Sequence, residues 1–373
     1  MQRYAGEHLG IAPHIVVLGS CKVGNFIVST PVLRGLRKRF PDAVIGFLGS
    51  QLTADFERAH SSIDWRHSWD DPAAAAGLLL QQNLHQKLSL HGPVALALNL
   101  DGFNPVTCTL MPWLQPKYVA GGSLKPNLRS FIPWGNELRQ RFLGDPDWDS
   151  PAFIMRYSGV FQSQYIAELF CQLAYLHEYV DPVEMDLPFC EPAFTVPELL
   201  IHCTTARAAK VWPFHYWADV IRAVTERGWR VGLVGSPPKA QRETYNAGDG
   251  EQWLLQNTDL IDLRGKTTLI ELAGAARQAR AVVSVDAGPL HIAAAMGTPT
   301  LAVVGNDAEG VGASPIRLWL PRSVNCERTV STHSCNRCAL NHFRNDDCLV
   351  EGHLCMAGVT PDQALNWLEP LLP

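Results

Sequence analysis

Short, unbroken apolar runs recur along this chain, each followed by a turn and a stretch with helical spacing. Runs apolar on both faces belong in a parallel sheet, and parallel neighbours need a crossover, usually a helix, between them. The first run is HIVVLGS, from His14 to Ser20, with the turn CKVGN behind it and Gly24 available for the bend. The helical stretch FIVSTPVLRGLRKRF ends in a basic turn, as the helix dipole favours, and Pro41-Asp42 breaks it before the run AVIGFLG. A further run, VALALNL, ends at Asp101-Gly102. The Pro-rich passage DLPFCEPAFTVPE (Asp186 to Glu198) interrupts the pattern and reads as a linker. The pattern then restarts with LLIHC, the helix HYWADVIRAVTERG closed by Gly228, RVGLVGS, LIELAGAARQA, AVVSVD, HIAAAMG and TLAVVG. A final helix, TPDQALNWLEPLL, has Thr360 as N-cap and Pro361 at its first position. The alternation predicts an α/β chain of two domains, 1–190 and 191–373, each with a parallel, doubly wound sheet. Ligands of such sheets bind outside the carboxyl ends of the strands, so two facing domains would hold a cleft.

Charge narrows the function classes. Lys and Arg number 31 against 36 Asp and Glu, a net −5, so no global basic field draws the chain to nucleic acid. The opening MQRYAGEHLGIAPH lacks an apolar core of signal-peptide length. The longest apolar stretch, Ala281 to Gly305, is interrupted by Asp286, Gly288, Pro289, His291 and Pro299, so no membrane span is expected. The expectation is a cytoplasmic protein, with a peripheral place at the inner membrane face left open.

Three strand-to-helix junctions carry possible chemistry. In SVDAGPLHIAAAMGTPTLAVVG, a strand delivers Asp286 to the sheet mouth, Ala287-Gly288-Pro289 turns, and a helix begins near Leu290 with His291 in its first turn. Free amides, a positive dipole end and an imidazole converge there, as an anion requires. A helix cap explains the Asp and Gly equally well, but gives no reason for the His. In HCTTARAAKVWP, Thr204, Thr205 and Lys210 follow another strand and supply two hydroxyls and an ammonium on the same rim, fit for a diphosphate or else a plain solvated loop. The third junction, GSCKVGN, lacks both the Walker and the GxGxxG patterns and reads as a structural turn.

Of ten cysteines, five lie between Cys326 and Cys355. Cys335, Cys338, Cys348 and Cys355 are spaced C-x2-C-x9-C-x6-C, the pattern of a closed four-thiolate site for zinc or a single iron, or alternatively a set of free thiols. Cys326 is spare, and His333, His342 and His353 are substitute ligands. Such a site would be structural, separable from ligand binding elsewhere in the domain. Cys21, Cys108, Cys171, Cys190 and Cys203 have apolar neighbours and read as buried thiols.

The blocks VLGSCKVGNFIVSTPVLRGLRKRFPDAVIGFL, LNLDGF, HCTTARAAKVWP, RGWRVGLVGSP, DLRGKTTLIELAGAARQARAVVSVDAGPLHIAAAMGTPTLAVVG and the tail ending CMAGVTPDQAL together resemble glycosyltransferase family 9. These are the ADP-heptose-using heptosyltransferases of lipopolysaccharide core assembly. The resemblance implies a GT-B fold, two facing Rossmann-like domains with an interdomain cleft, the first holding acceptor and the second sugar nucleotide. It implies inverting transfer without a catalytic metal, from a nucleotide-diphosphate sugar to a hydroxyl on a glycolipid, protein or small molecule. Lys210 matches the lysine on the donor phosphate, with Thr204 and Thr205 beside it. Asp286, Ala287, Gly288 and His291 match the donor turn, the Asp towards sugar hydroxyls and the Gly amide and His towards phosphates. The tail is also similar to the four-cysteine iron finger of autotransporter heptosyltransferases. A homo-oligomer is compatible with the family.

Three positions depart from it. Asn25 stands where the family carries the aspartate proposed as base, and a neutral amide cannot usefully take a proton. Asp101 is the replacement candidate, with capping of its own loop as its alternative role. Ala287 replaces a common Thr or Ser, and Lys239 stands where some relatives place an acid for the nucleotide ribose. The leading expectation is a sugar transferase. The alternatives are a non-catalytic sugar-nucleotide-binding relative that has lost its base and, more remotely, an electron-transfer protein.

Overall fold

The computed structural model describes residues 1–71, 78–102, 104–148, 150, 152–245, 249–305 and 316–372. They form two compact units, Met1–Asp186 and Leu187–Pro373. The division falls at Asp186/Leu187 within the Pro-rich passage, ahead of the expected 190/191. The reason is local: Cys190 donates its N–H to Ile270 O at 3.0 Å, and Phe189 lies under the Arg277 guanidinium at 4.4 Å, so both residues belong to the second unit.

The first unit is built on β1 (Gln2–Arg3), β2 (His14–Leu18), β3 (Val44–Gly49), β4 (Trp65–Ser68), β5 (Val94–Asn99) and β6 (Tyr118–Gly121), in the order β1-β6-β5-β2-β3-β4. The second uses β7 (Leu199–His202), β8 (Val231–Leu233), β9 (Ile261–Asp262), β10 (Ala281–Val285), β11 (Thr300–Gly305) and β12 (Cys326–Val330), in the order β12-β11-β10-β7-β8-β9. Every strand pairing in the two sheets is parallel. Chain direction across each sheet reverses between β2 and β5 and between β7 and β10, which is where doubly wound sheets open a crevice. The short strands β1, β4, β6, β9 and β12, at the sheet edges or, for β6, next to one, escape the apolar-run criterion because they are too brief or too polar.

Helix Val23–Arg39 begins within the CKVGN turn, earlier than its apolar run suggested, and buries the stretch from Phe26 to Leu33. Pro31 inside it cannot donate to Ile27 O; the Thr30 hydroxyl makes a bond to that carbonyl at 2.8 Å, so the oxygen stays paired. In the second unit the core gathers Trp212 and Trp217, both fully buried and edge-on at 4.9 Å, with Ala364 and Leu368 of the last helix, Pro361–Leu368. Trp212 Nε1 donates to Val359 O at 2.8 Å, tying the chain after β7 to the C-terminal segment. Truncating such a tryptophan costs about 3–5 kcal/mol. That last helix has the expected Thr360 and Pro361 start, with Gln363 closing a capping box.

Among the described residues no helix is long and apolar enough to cross a membrane. Of the five scattered cysteines, Cys108, Cys171 and Cys203 are buried, whereas Cys21 is half-buried and Cys190 exposed. Cys190 departs from the expectation because its backbone, not its thiol, makes the contact with Ile270.

Candidate active site

In the second unit β7 and β10 are neighbours, with Ser284 in register with His202. The segments that follow them therefore leave the sheet side by side, at the crevice. The chain after β10 turns through Asp286 and Ala287 into helix Gly288–Ala295, two residues earlier than expected, with Ala287 as an N-cap that makes no side-chain cap bond. The chain after β7 passes Thr204 and Thr205, both buried, and reaches Lys210 in a short 3-10 turn. Lys210 Nζ donates to Asp286 Oδ2 at 2.9 Å and to Asp286 O at 3.2 Å. The two motifs, 76 residues apart, thus meet as one partly buried ion pair at a helix N-terminus.

His291 lies one turn into that helix, 95 % buried, with Nε2 4.0 Å from Asp286 Oδ1. Burial drives its pKa down to about 4, Lys210 adds to the fall, and Asp286 only partly opposes it. The imidazole is therefore neutral near pH 7. Its Nδ1 is buried and, among the described residues, has no hydrogen-bond partner, which leaves one ring nitrogen for a ligand or a water. The sequence places an imidazole at this anion site without fixing its charge; burial makes it a neutral hydrogen-bonding group.

Behind the threonines stands a buried polar chain that the sequence did not reveal. Gln241 Nε2 donates to Thr204 Oγ1 at 3.0 Å and to Glu251 Oε1 at 3.3 Å. Arg264 joins Glu251 and Asp262, each at 2.8 Å. Because Glu251 accepts, the amide nitrogen of Gln241 must face it, and Thr204 accepts from that same nitrogen. The only hint was polar residues beside apolar stretches. Gly235, at φ +157°, lets Gln241 in: a Cβ there would sit 2.5 Å from Nε2. Lys239, by contrast, is exposed and pairs with Glu243 at 3.9 Å.

In the first unit, the ends of β2 and β5 are neighbours in the same way. Leu18 is in register with Asn99, and Leu100 N donates to Leu18 O at 2.9 Å. Asn25 lies in the first turn of helix Val23–Arg39, half-buried, and Asp101 follows β5 on the same rim. Asp101 Oδ2 accepts from Asn104 Nδ2 at 3.0 Å, and its carbonyl accepts from Thr107 Oγ1 at 2.8 Å, so it does shape its own loop. Burial raises its pKa, held back by the Asn104 amide and Lys22. Gly121, at φ +84°, closes this rim: a Cβ would fall 2.2 Å from Asn99 O.

The four tail cysteines also converge. Cys338 and Cys355 are buried, Cys335 and Cys348 half-buried. Burial, then Cys348, Cys335 and Cys338, push the Cys355 thiol up to about 11. Yet among the described residues no group of three or more His, Cys, Asp or Glu is disposed to hold a metal ion. As placed, the thiols are neighbours without being a ligand set. Cys326 is the first residue of β12, and His353 Nε2 is engaged with Ala209 O at 2.8 Å.

Residues 170–338 match the family model for glycosyltransferase family 9 (heptosyltransferase). Lipopolysaccharide heptosyltransferase 1 of Salmonella typhimurium is 28% identical over 122 residues, 33% of this chain and 36% of that protein, so this match spans about a third of the relative. Lipooligosaccharide heptosyltransferase 2 of Haemophilus ducreyi is 23% identical over 303 residues, 76% of this chain and 80% of that protein. In structure, the chain resembles a family 9 glycosyl transferase from Veillonella parvula, with a TM-score of 0.69 at 16% identity and 97% of each chain covered. It also resembles the dodecameric, iron-containing heptosyltransferase TibC, solved with ADP-D-beta-D-heptose, with a TM-score of 0.55 at 14% identity over 98% of this chain and 77% of that one. The fold is accordingly the two-domain, Rossmann-like glycosyltransferase fold. Residues 170–338 thus resemble glycosyltransferase family 9 (heptosyltransferase), and the strand-to-helix turn at Asp286 sits at the switch point of the second sheet.

Proposed function

We propose that the protein transfers a sugar, a heptose carried on ADP, to an acceptor hydroxyl with inversion. The observation that carries this reading is the Lys210–Asp286 pair at the N-terminus of helix Gly288–Ala295. A diphosphate leaving group needs cationic and N–H donors where its charge develops, and a carboxylate beside them offers acceptors for sugar hydroxyls. Lys210, the Gly288 amide, the Thr205 hydroxyl and the neutral His291 Nδ1 supply the donors; Asp286 supplies the acceptors. The ADP-heptose in the TibC structure supports the choice of donor. Asp101 is the proposed base. Its raised pKa makes it a stronger proton acceptor than an ordinary carboxylate, and Asn25 would orient the acceptor without taking its proton.

No step in this reading passes through a metal. The four tail cysteines do not form a ligand set as placed; their spacing, their mutual proximity and the iron-containing TibC support a structural zinc or iron there as a separate proposal. An acceptor on lipopolysaccharide core would put the protein at the cytoplasmic face of the inner membrane. The second reading, a donor-binding relative without activity, is favoured only by Asn25. Incubation with ADP-heptose and a panel of glycolipid, protein and small-molecule acceptors, followed by mass spectrometry, tests both. A glycosylated product supports the transferase. Tight ADP binding with neither transfer nor donor hydrolysis supports the second reading, and absence of ADP binding removes both.

A further inference from the structure

The loop that carries Lys210 is held on both sides of one residue by the Cys-rich segment. Ala209 N donates to Asp346 O at 2.8 Å, and Ala209 O lies 2.8 Å from His353 Nε2. A carbonyl oxygen only accepts, so His353 is the donor, from Nε2. Two residues earlier, Arg207 Nε and Nη2 donate to Asn345 O at 2.8 and 2.6 Å. Asn345 is itself tied to the cysteines, donating from Nδ2 to Cys338 Sγ at 3.3 Å. Ala209 packs directly on Cys338, both buried, with Phe343 against them. The segment takes up unfavourable backbone to do this: His342, Phe343 and His353 all have positive φ, at 51°, 55° and 47°. Left-handed conformations at non-glycine residues persist where surrounding contacts impose them.

We propose that the Cys-rich segment is a clamp that sets the position of Lys210, with His353 as a positioning residue of the donor site. This rests on the donor-site reading above. Lys210 follows the clamped peptide directly, so the clamp determines where its chain starts, while Asp286 holds its far end at 2.9 Å. A displacement of about 1 Å in such a group is enough to weaken an oriented charge contact severely. The segment is therefore not separable from donor binding, as its cysteine spacing alone implied. Disturbing Cys338 disturbs Ala209, and through it Lys210.

The test uses the full chain with His353→Ala and His353→Gln, glutamine being able to donate an N–H to the same carbonyl. Backbone amide exchange, read without ligand, is expected to accelerate roughly tenfold at Ala209, Lys210 and Val211 in His353→Ala, on the scale of one lost hydrogen bond. Exchange in helix Val23–Arg39 of the other unit should stay unchanged, and His353→Gln should recover most of the protection. Calorimetric titration with ADP should show affinity about tenfold weaker in His353→Ala and near the original in His353→Gln. Unchanged exchange at Ala209–Val211 in His353→Ala overturns the clamp. So does accelerated exchange with ADP affinity at the original level. If the unaltered protein does not bind ADP, the donor-site reading falls, and the exchange data alone decide whether the clamp exists.

Discussion

The Lys210 ammonium and the Asp286 carboxylate lie 2.9 Å apart, each side chain less than a fifth exposed, at the mouth of β7 and β10. The pair holds a cation in place before any ligand arrives. In the proposed donor site it would also keep the Asp286 carboxylate from repelling an incoming diphosphate. Lys210→Ala should therefore weaken ADP binding more than the loss of one exposed charge would, by roughly 10- to 100-fold, the scale of a charge-assisted contact. Titration calorimetry on folded protein checks this, and unchanged affinity would remove Lys210 from the donor site.

His291 links the site to acid stability. Its folded-state pKa is about 4 against an ordinary 6.5, so between these values the unfolded chain binds a proton that the folded chain refuses. The stability present above pH 6.5 is then lost as pH falls towards 4, by up to roughly 1.4 kcal/mol per pH unit from this group. His14, His60, His67 and His202 are also lowered by burial and act in the same direction. His291→Gln should flatten the slope by about one proton. Urea unfolding at pH 7, 6 and 5 measures it, and equal slopes in variant and parent would contradict the buried neutral imidazole.

Asp101 and Asn25 can be distinguished as base and orienting group. Asp101→Asn should lower turnover by roughly 100-fold or more with little change in ADP affinity, while Asn25→Ala does less. Asn25→Asp is expected to raise turnover by returning a carboxylate to that turn. Because burial raises the Asp101 pKa, the acid limb of the rate profile should sit above the ordinary carboxylate range. Full activity in Asp101→Asn would reject it as the base.

The tail cysteines allow a chemical check. Protein purified without oxygen should carry about one zinc or iron per chain, held by Cys335, Cys338, Cys348 and Cys355, and Cys338→Ser should lower both metal content and thermal stability. Elemental analysis reads the first and a melting curve the second. Protein free of stoichiometric metal would leave these residues as packed thiols.

The sequence by itself determined the parts of this protein that depend on neighbours along the chain. Short apolar runs such as HIVVLGS and AVVSVD pointed to buried parallel strands, and Thr360-Pro361 to a helix start, because periodicity and backbone chemistry act over a few residues. The proposed donor turn was visible as a motif for the same reason: Asp286, Gly288 and His291 sit in one short stretch directly after a strand.

Tertiary structure alone decided what depends on distant segments. It paired Lys210 with Asp286, placed Gln241 behind Thr204, put His353 on the Ala209 carbonyl, and drew Cys190 into the second unit. It also decided that His291 is neutral and Asp101 raised, because a pKa follows the water and charge that folding removes or brings near. A hydrogen bond between residues more than a hundred positions apart leaves no periodic trace in the sequence, and only the packed chain brings its two ends together.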